Sequence, residues 1–527
     1  MKKTLRIILM FSVVMAVCLG AAELVDWLRP EEVPAPEVLE EPVVVANVMD
    51  VDAATVIELA DDGSVITGIG ADETEEGVKI AYPGTYRVRG TLTDGQILVD
   101  CEDFHGGVYI LLDGADVSCS SGPAVYVKQS EKTVLHLAEG SVNRLQDGAG
   151  YTLTEKQEVS TGGAVYCDDD LYIEGDGTLT VIGNNADGIR SKDGLTISAG
   201  TVTVTAADDG VQGSDYVDIQ GGVLSVTATG DGIASTKGDI TLAGGNVTVA
   251  AAGDGVASAA DVYLQGGSLS VTTYGGAEYY EDMALLGLSA KGVKGMNVTV
   301  SGGIYVMNTA DDAMHGDETL TVSGGELYVR SGDDAISAGQ ALAVEGGRVV
   351  IETSYEGLEA ATVAIWDGLV SIWAENDGVD AIGGFTMTGG AMTIEAPQCV
   401  STDGVFALQS GVLYLASMDQ DTALKFGEGA VTGGTLIATG SGATGEFQSG
   451  GVLDASMLFS LPGELAAGSE LGVWDAAGSR LLSCTTVQPC TMVLVASGAM
   501  GLGHEYTLTA GDYTMTAVLG EENAIVQ

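Results

Sequence analysis

Four consecutive stretches between Asn184 and Thr273 repeat one pattern: an acidic residue followed by Gly, an aliphatic Ile or Val, a short strand, a Gly-rich turn and a second alternating strand. The acid falls at Asp187, Asp209, Asp231 and Asp254, so the period is 22, 22 and 23 residues. A fixed period of this length with two short strands per unit and no helical periodicity is the mark of a solenoid. One such unit cannot bury its apolar face alone and must stack on its neighbours. After the Gly-rich turn, the second and fourth residues are aliphatic (Val202/Val204, Leu224/Val226, Val247/Val249, Leu269/Val271), which places them inside and the residues between them outside. A propeller needs blades nearly twice as long, and a leucine-rich repeat needs a helical side that is missing. The expected fold is all-β: a right-handed parallel β-helix of about 22 residues per coil.

Around that array the chain divides in order. Residues 1–22 read as an export signal: Lys2, Lys3 and Arg6 precede an apolar run that ends at Gly20-Ala21-Ala22. Residues 23–50 hold Pro30, Pro34, Pro36 and Pro42 among many Glu and read as an extended linker. Residues 51–183 carry strands without a clean period, the expected cap and first irregular coils. Regular repeats fill 184–449, interrupted by an insertion from Tyr274 to Ser289. Residues 450–527 lose the pattern and read as a small C-terminal β cap. A secreted or cell-surface monomer is expected, with a route to wall or membrane association through the N-terminus. Cys101 with Cys119, and Cys484 with Cys490, are candidate disulfides, with buried free thiols the alternative.

The charge decides what the surface can meet. Twenty Lys and Arg stand against 74 Asp and Glu, a net charge of −54. Such a surface repels nucleic acid and anionic lipid and attracts cations.

If coils superpose, the acid of each repeat lines one edge at the strand spacing of roughly 5 Å. The series Asp187, Asp209, Asp231, Asp254, Asp312, Asp334, Glu356, Asp377, Asp403 and Asp421 predicts one acid in each of ten units. Neighbouring like charges that close repel by roughly 1 kcal/mol in water and about 3–4 kcal/mol at an effective dielectric of 20. Either each carboxylate caps amides of its own turn, or cations sit between rungs. Second carboxylates at Asp208, Asp311 and Asp333 offer more oxygen than a turn needs, and the run Asp168-Asp169-Asp170, one coil before Asp187, adds to the same neighbourhood. Hard oxygen without His or Cys selects Ca²⁺. The expected metal set is Asp187, Asp208, Asp209, Asp231, Asp254, Asp311, Asp312, Asp333, Asp334, Glu356 and Asp377.

The runs GTYRVRGTLTDGQILVD, GPAVYVK, LAEG, NADGIRSKDGLTISAGTVTVTAADDG, SYEGLEA and GGTLIATG resemble the secreted carbohydrate-binding β-helix proteins of clostridia, over about Val51 to Tyr513. The resemblance implies a calcium-bearing parallel β-helix, related in shape to family 9 pectate lyases, that binds cellulose and acidic plant polysaccharide. It assigns the calcium to aspartates of the matching DG and DDG turns. This chain departs from that pattern at Asp312-Ala313 and Asp334-Ala335.

Three function classes follow. A non-catalytic binder of plant cell-wall polysaccharide would use the acidic rim through calcium and stack sugars on Tyr328, Trp373 and Tyr414, which alternation turns outward. A calcium-dependent lyase would need a basic residue near the rim, for which Arg190, Lys192, Lys237, Lys291 and Lys294 are the candidates; no Ser/His/Asp arrangement is evident in the sequence. A surface adhesin without glycan specificity fits the same N-terminal segments. The binder is the preferred reading.

Overall fold

The computed structural model describes residues 54–527 except 103–105, 156–157, 161, 419–421, 442–446, 451–452, 454, 521–523 and 527. The export signal and linker (1–50) and Asp421 therefore lie outside the described residues.

Each coil contributes three strand segments, and each segment pairs in parallel with its equivalent in the next coil. The first ladder runs through Asp187–Ser191, Val211–Gly213, Ile233–Ser235 and Val256–Ser258, the second through Gly194–Ile197, Tyr216–Ile219, Ile240–Leu242 and Val262–Leu264. The third runs through Thr201–Ala206, Val223–Ala228, Asn246–Ala251 and Ser268–Thr273. Register follows the sequence period: Val202 faces Leu224, Leu224 faces Val247, and Val247 faces Leu269. The chain is thus a parallel β-helix, as the repeat requires.

The interior is built from stacks of equivalent side chains. Ile189, Val211, Ile233 and Val256 form one column, and Leu224, Val247 and Leu269 another, all essentially inaccessible. Farther along, Phe385 stacks on Phe406 with ring centroids 5.7 Å apart, in register across the second ladder. Because every interior residue sits on its own kind, the core needs no element other than the next coil.

The Gly-Gly corners between second and third ladders explain the glycine content. Gly245, at φ +81°, is in the left-handed region, and a Cβ there would meet the backbone of Gly221 and Gly222 at 2.9–3.0 Å.

Both ends depart from parallel stacking. At the start, Thr55–Leu59 pairs antiparallel with Val65–Thr67, and Ala71–Thr74 with Gly77–Ile80. At the far end, Cys490–Ser497 runs antiparallel against Thr435–Gly440 of the third ladder, and a separate four-stranded antiparallel sheet is built from Glu470–Asp475, Arg480–Thr485, Glu505–Ala510 and Tyr513–Val518. These strands cover edges that a parallel stack would leave open. Cys101, Cys119, Cys484 and Cys490 are all free thiols, so neither candidate disulfide forms. The insertion folds as a short helix, α1 (Tyr280–Leu286), whose Met283 packs with Ala290 and Ala310.

Replacing Gly245 with Ala is expected to destabilise the protein by about 1–3 kcal/mol, measured by denaturant unfolding. Thr248→Ala, at an outward position three residues further on, serves as the near-neutral control.

Candidate cation site on the first ladder

The first ladder places the repeated acids in one column. Extending the observed register gives Asp187, Asp209, Asp231, Asp254, Lys291, Asp312, Asp334, Glu356, Asp377 and Gln398 as consecutive rungs. Eight of the expected ten acids therefore stack, including those followed by Ala313 and Ala335. Two corrections follow. Lys291 occupies a rung of its own, because the insertion conceals one coil from a simple count. Gln398 occupies the rung assigned to Asp403, which sits at the next corner and pairs with Lys425 at 3.2 Å. Asp168–Asp170 also lie at that second corner: Gly163 is the rung before Asp187, Asp168 pairs with Lys192 and Asp170 accepts the Gly194 N–H. Asp208 points into solvent beside the column.

The upstream carboxylates are satisfied in a way the sequence did not suggest. Each accepts the backbone N–H of the equivalent residue one coil later: Asp187 from Asp209 at 3.3 Å, Asp209 from Asp231 at 2.8 Å, Asp231 from Asp254 at 2.8 Å and Asp254 from Lys291 at 2.8 Å. The amide capped is the next coil's, not that of the acid's own turn. Charge-assisted bonds of this kind offset the repulsion between rungs without metal.

A second column, three residues after each rung, was missed by the sequence reading although its i+3 spacing is visible there. It reads Arg190, Gln212, Ala234, Ala257, Lys294, His315, Ser337, Glu359 and Asp380. Upstream it supplies donors: Arg190 reaches Asp187 at 2.9 Å, Gln212 reaches Asp209 at 2.7 Å, and Lys294 lies 3.7 Å from Asp254. His315 Nδ1 lies 3.1 Å from Asp312 Oδ2 and 2.7 Å from Ser337 Oγ, while the Ser337 hydroxyl donates to Asp312 at 2.8 Å. A Ser/His/Asp grouping thus exists, contrary to expectation. Its serine is 3% exposed and hydrogen-bonded to the carboxylate, so the grouping clamps the column.

Beyond Ser337 the flanking column turns acidic. Asp334, Glu356, Glu359, Asp377 and Asp380 fall within three coils, and none of them forms an ion pair among the described residues. Ligand oxygens of Asp334, Glu356 and Glu359 lie within 4.8 Å of one another, as do those of Glu356, Asp377 and Asp380. Neutral amides are the donors here: Asn376 to Glu356 at 3.1 Å, and Gln398 to Asp377 at 3.0 and 3.1 Å. A depression of about 190 Å³ opens beside them, lined by His315, Ser337, Gly339, Glu359, Asp380 and Ile382. An all-oxygen group shared through Glu356 fits a hard divalent cation. The upstream rungs fit one less well, since their oxygens already hold amides.

The other expected residues scatter. Tyr328 and Trp373 are partly exposed on the third ladder, with Tyr328 hydrogen-bonded to Glu326 at 2.6 Å. Tyr414 is 7% exposed; the C-terminal cap covers it, and its hydroxyl contacts Thr439 and the Val487 N–H, so it cannot stack on a sugar. Each basic residue considered as a lyase base is held by carboxylate: Arg190 by Asp187, Lys192 by Asp168, Lys237 by Asp215, Lys291 by Asp311 and Asp312, and Lys294 by Asp254.

Burial pushes Asp187 up to about 7; burial and the Asp254 charge push Asp231 up to about 6. Burial, with neighbouring acids, raises Glu356 to about 7 and Asp377 to about 6. Asp334 is raised by burial and by sharing a hydrogen bond with Glu359. Asp312 goes the other way: burial opposes its charge, but His315, Lys291 and Ser337 hold it at about 2. A folded carboxyl titrating above its unfolded value of about 4 keeps a proton the unfolded chain has released. Its contribution is therefore present below about pH 4 and lost as pH rises to about 7; Asp312 contributes above the unfolded value and loses this as pH falls toward 2. In chelator, the melting temperature is expected to fall between about pH 4 and pH 7, and Glu356→Gln with Asp377→Asn should flatten that slope. A melting temperature rising across the interval would contradict the assignment.

The family described as carbohydrate-binding domain-containing protein matches residues 74–335 and 327–444. A curated relative of that description from Acetivibrio thermocellus is 37% identical over 141 residues, which is 27% of this chain and 48% of the relative. The match thus spans about half the length of that relative. A polysaccharide lyase-like protein from C. thermocellum, solved as a gadolinium derivative, is 32% identical, with a TM-score of 0.41 over 42% of this chain and 92% of its own. With its regular coils and most of its N-terminal coils matched, this chain belongs to the carbohydrate-binding domain-containing protein family.

Proposed function

We propose that this chain is a secreted or cell-surface, non-catalytic polysaccharide-binding protein that holds plant cell-wall glycans, acidic pectin-type chains and cellulose among them, with the help of Ca²⁺. The observation that carries this reading is the change in the flanking column after Ser337. There, donors give way to Glu359 and Asp380 beside Asp334, Glu356 and Asp377, and among the described residues none of these five carboxylates forms an ion pair. A protein of net charge −54 repels a polyuronate unless a cation lies between them. Calcium held by Glu356, Asp377 and Asp380 has two charges and spare coordination positions, which a uronate carboxylate or sugar hydroxyl can fill. The adjoining depression, with Ile382 and small residues in its lining, gives a sugar ring an apolar surface. Trp373 and Tyr328 on the third ladder offer additional ring contacts.

Family membership supports the carbohydrate part of this reading, and the engagement of all five candidate bases by carboxylates favours binding over elimination. Retention on polygalacturonate and cellulose should be measured with calcium and with chelator, alongside absorbance of unsaturated product. Retention on polygalacturonate lost in chelator, with no absorbance rise, is the expected result. Glu356→Gln with Asp377→Asn should weaken calcium binding by at least about 10–100-fold and abolish calcium-dependent retention. Retention indifferent to chelator would refute the calcium role, and unsaturated product would make the protein a lyase.

A further inference from the structure

The acid column contains one cation. Lys291 stands between Asp254 and Asp312 in register, since Val256 pairs with Val293 and Val293 with Met314. Its ammonium lies 2.6 Å from Asp312 Oδ2 and 3.1 Å from Asp311 Oδ1, with 17% of the side chain exposed. Asp311, Asp312 and Asp333 present oxygens within 4.8 Å of one another. Two calcium–oxygen bonds of about 2.3–2.6 Å span about 5 Å, so this is also the spacing of ligands around a divalent ion.

The insertion sets the ammonium in place. The Ser289 hydroxyl and the Lys291 N–H both donate to Asp254 Oδ1 at 2.8 Å, and the segment just before them packs Met283 and Ala290 against Ala310. The Asp312 amide donates to Asp311 Oδ1 at 2.9 Å, which fixes the two carboxylates relative to each other. Lys291 therefore meets a preformed pair of acids at a rung whose four preceding rungs are aspartates.

We propose that Lys291 is a built-in substitute for a bound divalent cation, and that it determines which part of the acid column is left to take metal. With the ammonium seated, the Asp311–Asp312–Asp333 group is closed to ions and the group around Glu356 is open. This rests on the reading that the column takes divalent cations at all. An ammonium tethered to the chain cannot be removed by chelator, so the middle of the solenoid keeps its charge balance when the downstream coils lose theirs.

Bound metal is measured on the full chain and on Lys291→Met after equilibration with calcium and removal of loose ions. One additional calcium per chain in K291M, with a melting temperature that depends more steeply on calcium, is the expected result. Equal counts of at least one ion in both proteins overturn the proposal and leave the calcium reading standing. No ion in the natural chain but one in K291M supports the role of Lys291 and removes calcium from the natural protein; no ion in either overturns both. If K291M is insoluble, Asp311→Asn in the otherwise natural chain decides. An unchanged calcium count supports the lysine as resident cation, whereas loss of one ion shows that the pair holds metal and overturns the proposal.

Discussion

Everything in this molecule depends on parallel pairing between consecutive coils in constant register. Pairing is what turns a repeat of about 22 residues into columns, and columns are what give single side chains a collective property. Inside, the columns are aliphatic and stack without effort. At the first ladder the same geometry brings carboxylates together that are far apart in sequence, and the fold must then answer for their charge.

It does so in three ways along one axis. Upstream, the amide of the next coil is offered to each carboxylate, and Arg190 and Gln212 add side-chain donors. In the middle, Lys291 and His315 surround Asp312 and hold it ionised. Downstream, the charged donors run out: among the described residues Glu356 and Asp377 receive side-chain hydrogen bonds from neutral amides, and burial makes them, like Asp187 and Asp231 upstream, reluctant to ionise. Glu356 is also one methylene longer than the aspartates on either side, and its oxygens belong to both acidic groups. The recurring acid-to-amide contact is not confined to this column. Asp261 donates its N–H to Asp239 and accepts from the Asn297 N–H at the next corner, so the device belongs to the coil itself.

Most of the architecture was legible in the sequence because period and alternation are local. The aliphatic pairs, the Gly-Gly corners and eight rungs of the column follow from counting. What counting cannot reach is anything that depends on a coil of unusual length or on a distant part of the chain. The insertion hid the rung held by Lys291. A residue such as Tyr414 obeys the alternation rule and points outward, yet the cap packs over it. Asp403 sits in an acidic turn by sequence but past the rung in space, because Gln398 reaches that position first. The flanking column was overlooked for a different reason: its residue types change from Arg to Gln to His to Glu, and only stacking reveals that they form a series.

The amide contacts give the solenoid a polarity. Each upstream carboxylate leans on the coil that follows it and on none that precedes it. Trimming coils from the N-terminal side leaves an exposed N–H, which water satisfies at little cost. Trimming from the C-terminal side instead removes the amide that the last remaining carboxylate accepts, and that acid must turn to water. The stack is therefore vectorial: an assembling chain secures each acid only when the next coil has arrived.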